Sequence, residues 1–333
     1  LTQYHSALPA PRYTQVMPVR LPRPKIDPLI ALILCAVIVA IVLPARGEFA
    51  EGFSVATKIA IAFLFFLYGA RLSPQEALSG LKNWRLHSVI LSFTYLVFPL
   101  VGVLLFPLRH IIGNELYLGL LYMSLVPSTV QSSVAFTSIA RGNVPGAIVS
   151  ASASNLLGIV VTPILVMLLM GSGGVKISGN VFLGIATQLL LPFIVGQLTR
   201  RFTRDFAKNR LTKQADRLSI AMVVYSAFSE GVMDGVWTRV SWWQLLLLLG
   251  LSVVLVEFML WLTDRVGKRL SFNHEDRIAI QFCGTRKSLA TGLPVAAVIF
   301  GDAGVGLLIL PLMIFHQVQL MICAVRAARY ASG

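Results

Sequence analysis

The stretch IQFCGTRKSLATGLPVAAVIF at residues 280–300 places two adjacent cations, Arg286 and Lys287, inside an apolar run. If Arg286 lay at a membrane surface, only about 12 residues would follow it, where about 20 are needed to cross a bilayer. We therefore predict the pair near the middle of a membrane-spanning segment. Charged residues at that depth are costly, face a cavity or a partner, and mark functional sites.

The whole chain has the composition of a membrane protein. Of its 333 residues, 56% are hydrophobic and 13% are charged, whereas soluble domains have about 25% charged residues. Apolar runs of about 17–25 residues recur along the chain, as in polytopic helical membrane proteins. We predict an all-α protein with ten transmembrane spans, at 28–45, 54–70, 87–108, 115–140, 144–170, 178–199, 218–237, 242–263, 277–300 and 305–325.

The basic residues indicate the orientation of these spans. The net charge is +14, which would suit nucleic acid, but the positions of the charges favour a different explanation. With both termini in the cytoplasm, 21 of the 28 Lys and Arg residues lie on the inner side and 5 on the outer side, as the positive-inside rule requires. We predict a multi-pass protein of the cell membrane. Its partner is the lipid bilayer, and we do not expect it to bind nucleic acid.

The first 26 residues contain several prolines and scattered arginines, a composition typical of a disordered tail. A signal peptide over residues 1–47 is the alternative. It is disfavoured because the apolar run is long for a signal core and no A-x-A site follows it.

The ten spans divide into two sets of five, at 27–170 and 171–333. An odd number of spans per set makes the second set enter the membrane from the opposite side, as in inverted-repeat transporters. Residues 128–132, STVQS, align with residues 284–288, GTRKS, and both stretches interrupt equivalent spans. Irregular polar backbone at membrane depth occurs only where protein or a cavity surrounds it. We therefore predict that spans 4 and 9 are broken.

Broken helices offer carbonyl groups to cations and N–H groups to anions. We consider three explanations for the cations at 286 and 287: an intramembrane carboxylate partner at Glu230, Asp234 or Glu257, an anionic substrate, or an amino or guanidinium group that serves as a built-in cation in the place of sodium. A structural ion pair is the plainer alternative. The candidate substrate- and ion-binding residues are Ser128, Thr129, Gln131, Ser132, Ser133, Ser150, Ser154, Asn155, Gln281, Thr285, Arg286, Lys287 and Ser288.

Three stretches carry a family resemblance: FLYGARLSPQEALSGLKNWRLH (66–87), LVPSTVQSSVAFTSIARGNVPGAIVSASASNLLGIVVTPIL (125–165) and FCGTRKSLATGLP (282–294). Through them the chain resembles the bile acid:sodium symporter superfamily, and within it the sodium/bile-acid-symporter-like branch. The resemblance implies a panel domain of spans 1, 2, 6 and 7 and a core domain of the other six, in which the broken spans 4 and 9 cross near the midplane. It also implies a symporter that moves a small organic anion, of bile-acid, sterol, carboxylate or sulfate type, by alternating access.

The resemblance also implies sodium as the coupling ion, but the matching positions have changed. Relatives bind sodium with Ser-Asn at the first break, hydroxyls on span 5, and Glu and Gln at the second break. In this chain those positions are Ser132-Ser133, Ala147 and Ala151, Gln281 or Phe282, and Arg286. The negative charge is absent and cations stand nearby, so we expect weak sodium dependence or none.

Other function classes fit the sequence less well. A channel would need a continuous polar pore, whereas paired breaks suggest an occluded midplane site. An enzyme is not predicted, because the catalytic motifs H-E-x-x-H, C-x-x-C and G-x-S-x-G are missing from the sequence. A proton-coupled or sodium-independent carrier and a non-transporting membrane regulator stay open. No cofactor is predicted, apart from Na⁺ as the coupling ion that the resemblance implies.

Overall fold

The computed structural model of the protein describes residues 28–71, 83–171, 180–233, 235, 238, 240–300 and 305–332. The predicted disordered tail and Asp234 lie outside these residues. In the described part of the chain the regular structure is helical and no strand occurs.

The described residues form thirteen helices longer than four residues. They are α1 (Pro28–Val42), α2 (Gly47–Arg71), α3 (Trp84–Leu104), α4 (Asn114–Leu125), α5 (Val130–Ile139), α6 (Val144–Met170), α7 (Asn180–Ile185, continued by Leu191–Leu198 after a π-helical turn), α8 (Arg200–Lys208), α9 (Arg210–Met233), α10 (Trp242–Arg269), α11 (His274–Thr285), α12 (Leu289–Phe300) and α13 (Val305–Ser332). Five of them, α2, α3, α6, α10 and α13, are long and apolar enough to cross a membrane. Shorter apolar stretches lie in α1 and α7.

The helix α3 contains a π-helical turn, Phe93–Val97, just before Pro99. The N–H of Phe98 donates to the carbonyl of Phe93, five residues earlier. The N–H of Phe98 is therefore not available to the carbonyl of Thr94, and the next residue, Pro99, has no N–H. The carbonyl of Thr94 is left without a donor from its own helix. A similar turn, Ala186–Leu190, precedes Pro192 in α7. A Pro in the sequence thus frees a backbone acceptor in the middle of an apolar helix.

One group of helices consists of α1, α2, α7, α8 and α9. The strongest packing in it joins α2 to α7 and α1 to α9. Close backbone approach explains the first of these contacts, because a Cβ on Gly69 would lie 2.1 Å from the carbonyl oxygen of Phe193 and one on Gly196 2.1 Å from that of Phe66. Small residues allow such contact between membrane helices.

The second group consists of α3 to α6 and α10 to α13. Here α13 packs on α4 and α10, and α11 packs on α5, α6 and α10. The two groups meet mainly where α7 and α9 contact α12 and α9 contacts α13. The residues of α13 up to Phe315 are buried or nearly so, whereas its second half exposes Met321 and Val325. The first group therefore covers one end of the second and leaves the other end more open.

Candidate functional site

Two helix breaks meet at the centre of the second helix group. The first separates α4 from α5, and the second separates α11 from α12. Val126, Thr129 and Arg286 have extended backbone at these breaks. The N–H of Ser288 donates to the carbonyl of Pro127 at 2.8 Å. The helices are thus interrupted in both predicted stretches, and the interruptions touch through their backbones.

Side chains of the first break satisfy carbonyls of the second. The hydroxyls of Ser128 and Ser133 donate to the carbonyls of Cys283 and Phe282, at 2.7 and 3.1 Å. The hydroxyl of Thr129 donates to the carbonyl of Lys287 at 2.9 Å. The last carbonyls of a helix have no partner within it, so the hydroxyls predicted at this site stabilise the end of α11 and the second break.

The helix α6 supports the first break from the other side. Asn155 donates its side-chain N–H to the carbonyl of Ser128 at 2.6 Å and accepts from the hydroxyl of Thr291 at 2.6 Å. The hydroxyl of Ser154 accepts from the N–H of Ser128 at 3.0 Å, and that of Thr162 donates to the carbonyl of Leu125 at 2.9 Å. Asn155 therefore links the two breaks.

Lys287 is completely buried, and its ammonium group is held by backbone. Its Nζ donates to three carbonyls: those of Thr94 at 2.9 Å, Ser124 at 2.7 Å and Val126 at 2.9 Å. The first is the carbonyl released by the π-helical turn, and the other two belong to the end of α4. An ammonium group has three donors, so the three acceptors satisfy it fully. It also lies 4.3 Å from the ring centroid of Phe98.

Arg286 is also completely buried, but its surroundings are different. Its Nε, Nη1 and Nη2 have no hydrogen-bond partner among the residues that the structure describes. Its guanidinium carbon lies 4.8 Å from the ring centroid of Phe136. The thiol of Cys323 is within reach of the guanidinium but is only a weak acceptor, and that of Cys283 lies nearby. A buried charge without a partner costs several kcal/mol, so this is the most costly polar group of the site.

The carboxylates considered as partners are placed elsewhere. Glu257 pairs with Arg326 at 2.5 Å, and Glu230 lies half-buried in α9, in the other helix group. Within the described ranges, neither Arg286 nor Lys287 has a carboxylate at ion-pair distance. In this conformation Glu257 is therefore not the partner of either cation.

Other predicted site residues lie around this centre without joining its network. Gln131 is exposed, and the hydroxyl of Ser150 is 2.6 Å from Nδ1 of His87. Gln281 donates to the carbonyl of Leu260 at 2.9 Å and accepts from the hydroxyl of Tyr330 at 2.9 Å. It lines a groove of about 640 Å³ between α10, α11 and α13 that also contains Glu257 and Arg326.

Two predicted hydroxyls, those of Ser132 and Thr285, are buried and have no hydrogen-bond partner in the described part of the chain. They flank the two breaks, Ser132 in the first turn of α5 and Thr285 at the end of α11. No cluster of His, Cys, Asp or Glu suited to a metal ion occurs in the residues searched, which are the described ones.

Several groups of the site were not among the predicted site residues. Gln319 accepts from the N–H of Lys287 at 2.9 Å and donates to its carbonyl at 2.8 Å, so it holds the backbone of the second break. Thr94, Ser124 and Val126 act through their carbonyls, which no side-chain pattern reveals. The Phe98-Pro99 dipeptide in the middle of span 3 is the one signal that could have indicated the acceptor at Thr94.

Comparisons with known proteins identify the family of this chain. Residues 27–332 match the model of the SBF-like CPA transporter family. An uncharacterized protein of Pseudomonas aeruginosa is 47% identical over 306 residues, which are 90% of this chain and 91% of that protein. The "putative symporter YfeH" of Escherichia coli is 44% identical over 308 residues, 92% of this chain and 93% of that protein.

A more distant relative comes from an animal. The mouse protein named sodium/bile acid cotransporter 7 is 31% identical over 274 residues, 80% of each chain. The family match covers nearly the whole chain and includes both helix breaks. The chain therefore belongs to the SBF-like CPA transporter family, a family of membrane transporters within the bile acid:sodium symporter superfamily.

Proposed function

We propose that this protein is a secondary active transporter that moves a small organic anion across the cell membrane by alternating access, without sodium as the coupling ion. The observation that carries the proposal is the ammonium of Lys287, which is bound by three backbone carbonyls at the crossing of two broken helices. A tethered cation then fills the kind of site that an alkali ion would otherwise occupy.

The proposed architecture has ten spans in two inverted repeats. The helices α1, α2, α7 and α9 would form the panel, and the second helix group would form the core. Their contacts support this division, since each group packs mainly within itself. Because the groups meet through α12 and the buried half of α13, we propose that the crevice is open at the opposite, cytoplasmic end. We also propose that both termini are cytoplasmic.

Charge at the crossing argues against sodium. A second cation placed 4 Å from Lys287 would be repelled by about 4 kcal/mol at an effective dielectric constant near 20. Relatives would balance such an ion with a carboxylate near position 281. Here Gln281 stands at that position, and its amide is already bonded to Leu260 and Tyr330. The described residues at the crossing supply no negative charge to replace it.

The class of substrate is proposed from charge and from the relatives. The core holds two buried cations, Arg286 and Lys287, which favours an anion. The name of the mouse relative refers to bile acid, and that word describes the mouse protein alone. For this chain we propose a small amphipathic anion, of the sterol-like, carboxylate or sulfate type. A proton-coupled carrier fits the same site, and a non-transporting regulator is the remaining alternative.

Reconstituted transport tests the proposal. Purified protein in proteoliposomes would be screened for uptake of organic anions with Na⁺ and pH gradients imposed separately, beside empty liposomes. Saturable uptake that is unchanged when choline replaces Na⁺ is the expected result. A steep, saturable dependence on Na⁺ would contradict the coupling proposal, and the absence of saturable uptake of any anion would contradict the transporter proposal.

A further inference from the structure

We propose that Arg286, together with the hydroxyls of Ser132 and Thr285, forms a buried site for one carboxylate group, which is the charged head of the transported anion. That the bound molecule is also transported rests on the proposed function. The existence of the carboxylate site does not, because it follows from the unpaired guanidinium donors of Arg286 and from unpaired hydroxyls on the two elements that carry Arg286 and Phe136.

The first step of the argument concerns the donors of Arg286. All three guanidinium nitrogens are buried and lack a hydrogen-bond partner within the described residues. Lys287, one residue later, is satisfied by three carbonyls and needs no further acceptor. The two cations thus have separate tasks: the lysine completes the protein's own backbone, and the arginine is the one that still requires an acceptor.

The second step concerns the neighbouring hydroxyls. Thr285 precedes Arg286, and its buried Oγ1 is also without a partner in the part of the chain described. Ser132 lies four residues before Phe136, on the same face of α5, and the ring of Phe136 contacts the guanidinium. The buried Oγ of Ser132 likewise has no partner there. Two spare O–H donors therefore accompany the spare N–H donors.

The third step is the shape and charge of the ligand. A guanidinium group presents parallel N–H donors that match the two oxygens of a carboxylate. A single negative charge neutralises Arg286, since the carbonyl dipoles already stabilise Lys287. A planar monoanion therefore fits better than a divalent anion, and its oxygens can accept from the hydroxyls on either side.

The fourth step is access. Arg286 is completely covered in this conformation, so the described state is closed around the site. Phe136 covers one face of the guanidinium and is itself partly exposed. Movement of this ring, on the short helix α5, is the smallest change that would open a path to the arginine. The site is thus occluded here and opens when the core moves.

Thermal denaturation of the purified protein in detergent tests the site directly. Benzoate, methanesulfonate, chloride and sulfate would be titrated at constant ionic strength. We expect a saturable rise in melting temperature with benzoate and smaller rises with the other three. In Arg286→Gln the apparent affinity for benzoate should fall about 10-fold to 100-fold, as expected for the loss of hydrogen bonds to a charged group. Ser132→Ala should show a smaller loss.

Two further variants separate binding from structural effects. Arg286→Met removes a buried cation that has no partner, so its melting temperature without ligand should be equal to or above that of the wild type, whereas its response to benzoate should vanish. Arg277→Gln is the matched control, because Arg277 is a half-buried cation of the same helix group that already has a partner. It shares the carboxylate of Asp264 with Lys268. Its response to benzoate should equal that of the wild type.

The outcomes distinguish this inference from the proposed function. A wild type that responds to none of the anions, or an Arg286→Met variant that still responds to benzoate, would overturn the carboxylate site. Equal responses to all four anions would also overturn it, since they would indicate non-specific ion binding. A specific response to benzoate without uptake in proteoliposomes would keep the site and reject the transporter. Uptake with an unchanged KM in Arg286→Gln would keep the transporter and reject the site.

Discussion

The substitution Lys287→Ala would test the tethered cation most directly. It leaves the carbonyls of Thr94, Ser124 and Val126 without their donor, at about 1 kcal/mol or more for each buried acceptor. The cavity left by the side chain adds about 2 kcal/mol. Part of this loss is offset, because the ammonium no longer has to be buried. The net destabilisation is on the order of 3 kcal/mol.

The assay is thermal denaturation in detergent, in which about 3 kcal/mol corresponds to a fall of roughly 4 °C in melting temperature for a chain of 333 residues. Propylammonium has the size and charge of the deleted atoms, so it should restore part of the stability of Lys287→Ala in a saturable way and leave the wild type unchanged. The control is Lys268→Ala. This lysine is 54% exposed and pairs with Asp264, so its loss should cost less than about 1 kcal/mol.

Two results would refute this reasoning about Lys287. One is a variant that is as stable as the wild type and indifferent to propylammonium, because the three carbonyls would then not depend on a cation. The other is a saturable stabilisation of the wild type by Na⁺, because the site would then accept an added cation despite the lysine.

Reporter fusions at Gly173 and at Asn209 should read outside and inside respectively, because basic residues divide 21 to 5 with cytoplasmic termini; the reverse readings would overturn the topology. In a variant that keeps Cys283 as its only cysteine, a membrane-impermeant thiol reagent should react only when substrate or a gradient opens the break, since the side chain is fully buried in this state. Inertness of the folded protein under every condition would count against movement there. Gly196→Ala should destabilise the protein by about 3 kcal/mol, because the new Cβ would lie 2.1 Å from a carbonyl oxygen of α2. Gly52→Ala, with nothing within 4 Å of its Cβ, should leave the melting temperature nearly unchanged, and equal effects of the two changes would contradict the helix contact.

The sequence was sufficient to predict the two breaks and the position of the cation pair at one of them. Pro127 and the polar residues around it interrupt one apolar run, and Arg286 and Lys287 interrupt another. Such interruptions can be located by counting residues, because the thickness of a bilayer sets the length of a span. The helices α4, α5, α11 and α12 begin and end close to those positions.

The sequence was not sufficient to predict the partners of the cations. Glu257 was considered because of its depth in span 8, but the rotation of α10 and α13 brings it to Arg326. Depth along a helix can be read from residue counts, whereas the direction of a side chain depends on which neighbouring helix packs beside it. That packing joins residues far apart in the chain, as Lys287 and Thr94 show.

By itself the sequence determined that this chain is a helical membrane protein with two interrupted apolar runs and two adjacent cations in one of them, because these properties follow from local composition and length. Only the tertiary structure decided that the two cations differ. Lys287 meets three carbonyls that a proline and a helix end leave without donors, whereas Arg286 meets an aromatic ring and a weakly accepting thiol, with no oxygen acceptor among the described residues. The physical reason is that a buried charge is stabilised by the acceptors around it, and those acceptors come from helices distant in sequence.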